Sequence, residues 1–86
     1  MPRALSMQRT VVPPGDRAKF LERVKAREAH YTSVGCQFWL FEEAALPGAF
    51  IEFTEANDIT TLREAHATAI EPPLDPARIY AQVALS

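Results

Sequence analysis

The spacing of apolar residues along this chain changes in a fixed order: two, three-to-four, two, two, three-to-four, two. That order restricts the architecture more than any motif does. A period of two belongs to half-buried strands and a period near 3.6 to amphipathic helices. Residues 3–12 alternate large apolar and polar side chains, and Pro13-Pro14-Gly15 stops them, because proline cannot donate to a ladder and glycine allows a turn. Asp16 then opens a helix running to about Ser33, with Phe20, Leu21, Val24, Glu28 and Tyr31 at helical intervals and Gly35 as its stop. Residues 36–43 are too aromatic and too short for another helix and read as a strand. Pro47-Gly48 marks a hairpin tip, and 49–55 is the returning strand. Asn57-Asp58 cap a second helix from Ile59 to about Ile70, striped with Ile59, Leu62, Ala65/His66 and Ala69. Pro72-Pro73 and Pro76 stiffen the connection to a last strand at 78–85.

Two β-α-β units with right-handed crossovers give an α+β fold: a four-stranded antiparallel sheet with both helices on one face, the ferredoxin-like arrangement. Eighty-six residues hold one core, so 1–86 reads as a single domain. The alternation expects Leu5, Met7, Val11, Phe38, Leu40, Ile51 and Phe53 under the helices, with Arg9 the sole charge among them. It expects Gln8, Trp39, Phe41, Phe50, Glu52, Tyr80 and Gln82 on the opposite face. Four clustered rings exceed what a soluble monomer leaves open to water. A second copy of the chain is the expected cover, which makes the protein a homodimer.

Charge narrows the partners. A formal charge of −2 and a pI near 5.6 argue against nucleic acid and anionic membranes, which select basic faces. The RNA-recognition alternative shares the element order and the sheet aromatics, but it lacks a Lys/Arg-Gly-Phe-type signature and would carry Glu52 in its platform. No apolar stretch approaches the roughly 20 residues that span a bilayer. The first residues lack the apolar run of a signal peptide, so a cytoplasmic chain is expected. Cys36 is the single cysteine, which leaves no internal disulfide, no CxxC and no cysteine cluster for zinc. With no phosphate-cradling glycine loop, no GxSxG and no HExxH, neither a metal nor a cofactor is expected.

Three stretches carry a family likeness: Gly35-Cys-Gln-Phe-Trp-Leu-Phe-Glu-Glu43, Pro47-Gly-Ala-Phe-Ile-Glu-Phe-Thr-Glu55 and Leu62-Arg-Glu-Ala-His66. With the element order, they resemble the dimeric α/β-barrel superfamily, and within it the antibiotic-biosynthesis-monooxygenase-like proteins. The resemblance implies a dimer, a pocket between helices and sheet, and cofactor-independent oxygenase or related chemistry. The same superfamily includes isomerases and haem-degrading enzymes, so fold alone does not choose among them. The Asn and Trp partners of the haem-degrading members have no clear match in this chain.

Several residues are candidates for chemistry. His66 lies on or beside the inward stripe of the second helix and titrates near neutrality; a structural histidine at the helix–sheet boundary, near Ile51, Phe53 and Arg9, is the preferred reading. Glu52 is centred on a strand expected to be buried by dimerisation, where a carboxylate must pair or shift its pKa, with Gln8, Gln82 and Tyr80 as neighbours. Trp39, Phe50 and Tyr80, with Gln8, Gln82 and Arg9, are the candidate ligand-binding set, against the plainer role of dimer core. Cys36 reads as a buried hydrophobe. Lys19, Arg23 and Arg27 form a basic stripe at i+4 spacing, read as a solvated helix face. A homodimeric α/β-barrel protein with a small-molecule pocket, for which the resemblance implies cofactor-independent oxygenase-like chemistry, is the leading functional reading, with catalysis itself left open; a non-catalytic ligand-binding or protein-interaction module is the alternative.

Overall fold

The computed structural model describes residues 2–85; Met1 and Ser86, which the 1–86 domain reading includes, lie outside them. Strand β1 (Ala4–Val11) leads through a single 3-10 turn at Pro14–Asp16 into helix α1 (Arg17–Ser33). Strands β2 (Gln37–Glu42) and β3 (Ala49–Ala56) form the hairpin, followed by helix α2 (Ile59–Ala67) and strand β4 (Tyr80–Ala81). The sheet order is β2-β3-β1-β4, antiparallel throughout. This is the ferredoxin-like α+β arrangement. No helix among the described residues is long and apolar enough to cross a membrane.

The element ends have local causes. Gly35 follows α1 with φ +86°, the left-handed conformation that closes many helices. Asp58 caps α2 by accepting a hydrogen bond from the Thr61 amide at 2.7 Å. Asp16, by contrast, makes no side-chain cap at α1. Helix α2 stops a turn earlier than its apolar stripe suggests. Thr68 turns its hydroxyl back onto the carbonyls of Glu64 and Ala65, and Pro72 disfavours helical geometry in the residue before it. Strand β4 is far shorter than 78–85. It pairs with Ala4 and Leu5, and beyond the Gln82 amide bonded to the Arg3 carbonyl at 2.8 Å its partner strand has ended.

The side-chain faces of β1 and β3 are the reverse of the sequence expectation. Ala4, Ser6, Phe50, Glu52, Thr54 and Ala56 are buried beneath the helices. Leu5, Met7, Arg9 and Val11 point the other way, with Ile51 and Phe53 of β3, their cross-strand neighbours. Strand β2 follows expectation: Phe38 and Leu40 pack against the core while Trp39 and Phe41 stay outside.

The fault lies in the hairpin. Pro47-Gly48 is a type II turn, with Gly48 at φ +94° and the Ala49 amide bonded to the Leu46 carbonyl. Yet it does not close the ladder. The closing bond runs from the Glu43 amide to the Ala49 carbonyl at 2.8 Å, so the register pairs Phe38 with Thr54 and Leu40 with Glu52. A two-residue hairpin centred on Pro47-Gly48 would differ from this register by an odd number of residues, and an odd slip moves every side chain of a strand to the other face.

Consequently the core is divided. One cluster gathers Ala4, Tyr31, Cys36, Ala56, Leu62 and Ala65 under α2. The other gathers Val12, Phe20, Val24 and Phe50 at the far end of α1, with Phe20 and Phe50 at 4.8 Å between ring centroids. A polar band formed by Ser6, Glu52 and Thr54 runs between them. The outer face of the sheet is apolar instead, and it exposes Met7, Val11, Trp39, Phe41 and Tyr80.

Candidate functional site

The polar band opens onto a cavity of about 260 Å³ between sheet and helices, lined by Ser6, Gln8, Thr54, Glu52, Arg27, Tyr31 and His66 and roofed by residues 71–74. Two networks build its floor. In the first, His66 on α2 lies 2.7 Å through Nε2 from the Ser6 hydroxyl and 2.7 Å through Nδ1 from the Tyr31 hydroxyl. All three residues are buried. Burial and the nearby His30 hold the His66 pKa below its ordinary 6.5, so the ring is neutral at pH 7. Burial, reinforced by Cys36, pushes the Tyr31 hydroxyl up to about 12 and keeps its proton in place.

A neutral ring carries one proton and one lone pair, so one ring nitrogen donates and the other accepts. Ser6 and Tyr31 each have His66 as their side-chain partner among the described residues, so in either tautomer one of the two hydroxyls accepts from the ring and keeps its own O–H free at the cavity that both line.

The second network is ionic. Arg27 on α1 donates from Nε to Glu52 at 3.1 Å and from NH2 at 2.5 Å, a fork on a carboxylate with both side chains almost fully covered (12% and 7% exposed). Its third nitrogen, NH1, lies 3.8 Å from Glu71, beyond hydrogen-bond reach. Arg23, one turn earlier, grips Glu71 through Nε at 3.1 Å and through NH2. The backbone amide of Leu74 donates to Gln8 Oε1 at 2.9 Å. Residues 71–74 are thus strapped across the cavity mouth by one ion pair and one hydrogen bond.

The sequence candidates divide between the two faces. His66, Glu52 and Gln8 meet in the cavity. Trp39, Tyr80 and Arg9 lie on the outer face, where Arg9 reaches Glu43 at 3.7 Å instead of sharing space with His66. Phe50 belongs to the core beside Phe20, and Gln82 stands at the β4 edge with Tyr80. Ser6 and Tyr31, not Ile51 and Phe53, face His66. Glu52 takes Arg27, not Gln8, Gln82 or Tyr80, as its partner. Of the basic stripe expected to be solvated, Lys19 and Arg23 are exposed, whereas Arg27 is covered and lines the cavity.

Ser6, Thr54, Tyr31, Arg27 and Glu71 join the site without standing out as site residues in the sequence. Arg27 had a legible signal: it follows Phe20 by seven residues and Val24 by three, which places a charge on the inward stripe of α1. Among the described residues no group of three or more His, Cys, Asp or Glu side chains is arranged to hold a metal ion. Comparison with protein-family models, curated proteins and solved structures finds no match to this chain.

Proposed function

We propose that this chain is a small homodimeric α/β-barrel protein, similar to the antibiotic-biosynthesis-monooxygenase-like group, whose cavity holds a small organic molecule by an acceptor oxygen. What supports this reading is the buried Ser6–His66–Tyr31 chain on the cavity floor, in which a neutral His66 leaves one hydroxyl O–H free for a bound molecule. A donor fixed in a half-dry site favours negative charge developing on the oxygen it meets. A molecule that enters as an anion, its proton already lost to bulk water, brings that charge, and His66 serves as the positioning residue behind the hydroxyl that meets it. Cofactor-independent oxygenation of such an anion is the reaction class to which the family resemblance points. The second copy covers the outer face of the sheet, where Trp39, Phe41, Met7 and Tyr80 stand open.

A binding module without catalysis is the second reading, and one observation favours it. Both ring nitrogens of His66 are already bonded, so the ring has no lone pair left for a substrate proton. Native mass spectrometry of the purified protein tests the proposal. The expected species has twice the 9.6 kDa chain mass and retains an organic molecule, which the protein converts in air-saturated buffer. Retention without conversion selects the binding module, and a bare monomer overturns the proposal.

A further inference from the structure

Resting on the cavity reading above, we infer that the ligand is a carboxylate, and that Glu71 occupies the place its carboxylate takes between Arg23 and Arg27. Three observations meet here. Arg27 is anchored through two nitrogens to Glu52, while NH1 makes no hydrogen bond among the described residues and is open to solvent. A guanidinium held on one edge and open on the other can take a second acceptor there. Glu71 already presents one nearby, but at 3.8 Å it satisfies Arg23 and not Arg27. A free carboxylate, without a backbone to hold it back, can approach both.

The Glu71–Arg23 pair is also cheap to break. Its two side chains are 39% and 63% exposed, and water-exposed ion pairs contribute little. Arg27 and Glu52 are covered and stay together. Displacement therefore exchanges one carboxylate for another at constant charge. It frees residues 71–74 of that ion pair, leaving the Leu74 amide on Gln8 as their side-chain hydrogen bond among the described residues, and so loosens the mouth of the cavity. The cavity, at about 260 Å³, falls just below the roughly 300–1,000 Å³ of sites for drug-sized ligands, which suits a compact organic acid.

Three probes of one shape separate the possibilities: benzoate, benzamide and benzylamine, titrated into the full chain and followed by the backbone amide resonances of Ser6, Gln8, Arg27 and His66. Benzoate is expected to move these signals, and more weakly at high salt. Glu71→Gln is expected to tighten benzoate roughly two- to five-fold, the range that an exposed guanidinium–carboxylate pair carries, and Arg23→Gln to weaken it. Glu71→Gln leaves the buried Arg27–Glu52 pair intact, so the variant folds. If benzamide or benzylamine moves the same signals and benzoate does not, the cavity reading stands and the carboxylate inference falls. If none of the three moves them, both fall. Unchanged or weaker benzoate binding in Glu71→Gln overturns the displacement.

Discussion

His66 shows how much one neutral ring can govern. Its pKa is held below the ordinary 6.5 by burial and by His30, so the folded chain binds fewer protons than the unfolded chain as the solution is acidified. The sign follows directly: stability is complete above pH 6.5 and falls as pH drops below it, levelling once the folded ring is itself protonated. The slope in that window is at most about 1.4 kcal/mol per pH unit, one proton's worth. Glu42 acts in a separate range. Its bonds to Arg17 and to the Gly48 amide hold its pKa at about 2, and its share of stability is lost between the ordinary 4.5 and that value. Denaturant melts of wild type and His66→Gln between pH 7.5 and 5 check this. The wild-type slope is expected to flatten in the variant, whereas equal slopes would show that another group titrates.

At the scale of elements, the β2–β3 hairpin decides what the sheet presents. Gly48 has two reasons to be glycine: its φ of +94°, and the Val12 carbonyl oxygen 2.7 Å from where a Cβ would stand. Gly35 shares only the first, because nothing lies within 4 Å of its own Cβ position. Gly35→Ala should therefore cost about 1–2 kcal/mol, the usual left-handed penalty. Gly48→Ala should cost more, and Gly48→Val more again, in melts of the three variants side by side. Equal losses at Gly35 and Gly48 would mean that the Val12 strand moves aside freely.

Element order, helix starts and the turn itself were legible from period, caps and the Pro-Gly pair. The faces of β1 and β3 were not, for a physical reason. Small and polar residues such as Ala4, Ser6 and Thr54 lie inward because the helices and a cavity sit above them, while bulky Met7, Ile51 and Phe53 lie outward. Size alternation alone cannot tell a core face from an association face, and the hairpin closure at Glu43 and Ala49 leaves no mark in composition.

For the whole molecule, the outer face is the one that a second copy covers in the proposed dimer. Leu5, Met7, Val11, Ile51 and Phe53 share it with Trp39, Phe41 and Tyr80, and Phe41 meets Phe53 edge-to-face at 5.7 Å. Trp39→Ala is expected to shift the protein towards monomer or aggregate, read by light scattering at micromolar concentration; a wild-type monomer under those conditions sinks the dimer. The central place of β1 carries a kinetic consequence as well. The hairpin joins neighbours in sequence and can close within microseconds, but Ser6 meets Thr54 and Gln8 meets Glu52 only when β1 finds β3 across the whole of α1 and β2. Such distant pairings must overcome loop-closure entropy before they are rewarded, which slows folding. The cavity is therefore assembled late, after the hairpin and the first helix, and a nascent chain acquires a place for a ligand only when His66 and residues 71–74 have left the ribosome.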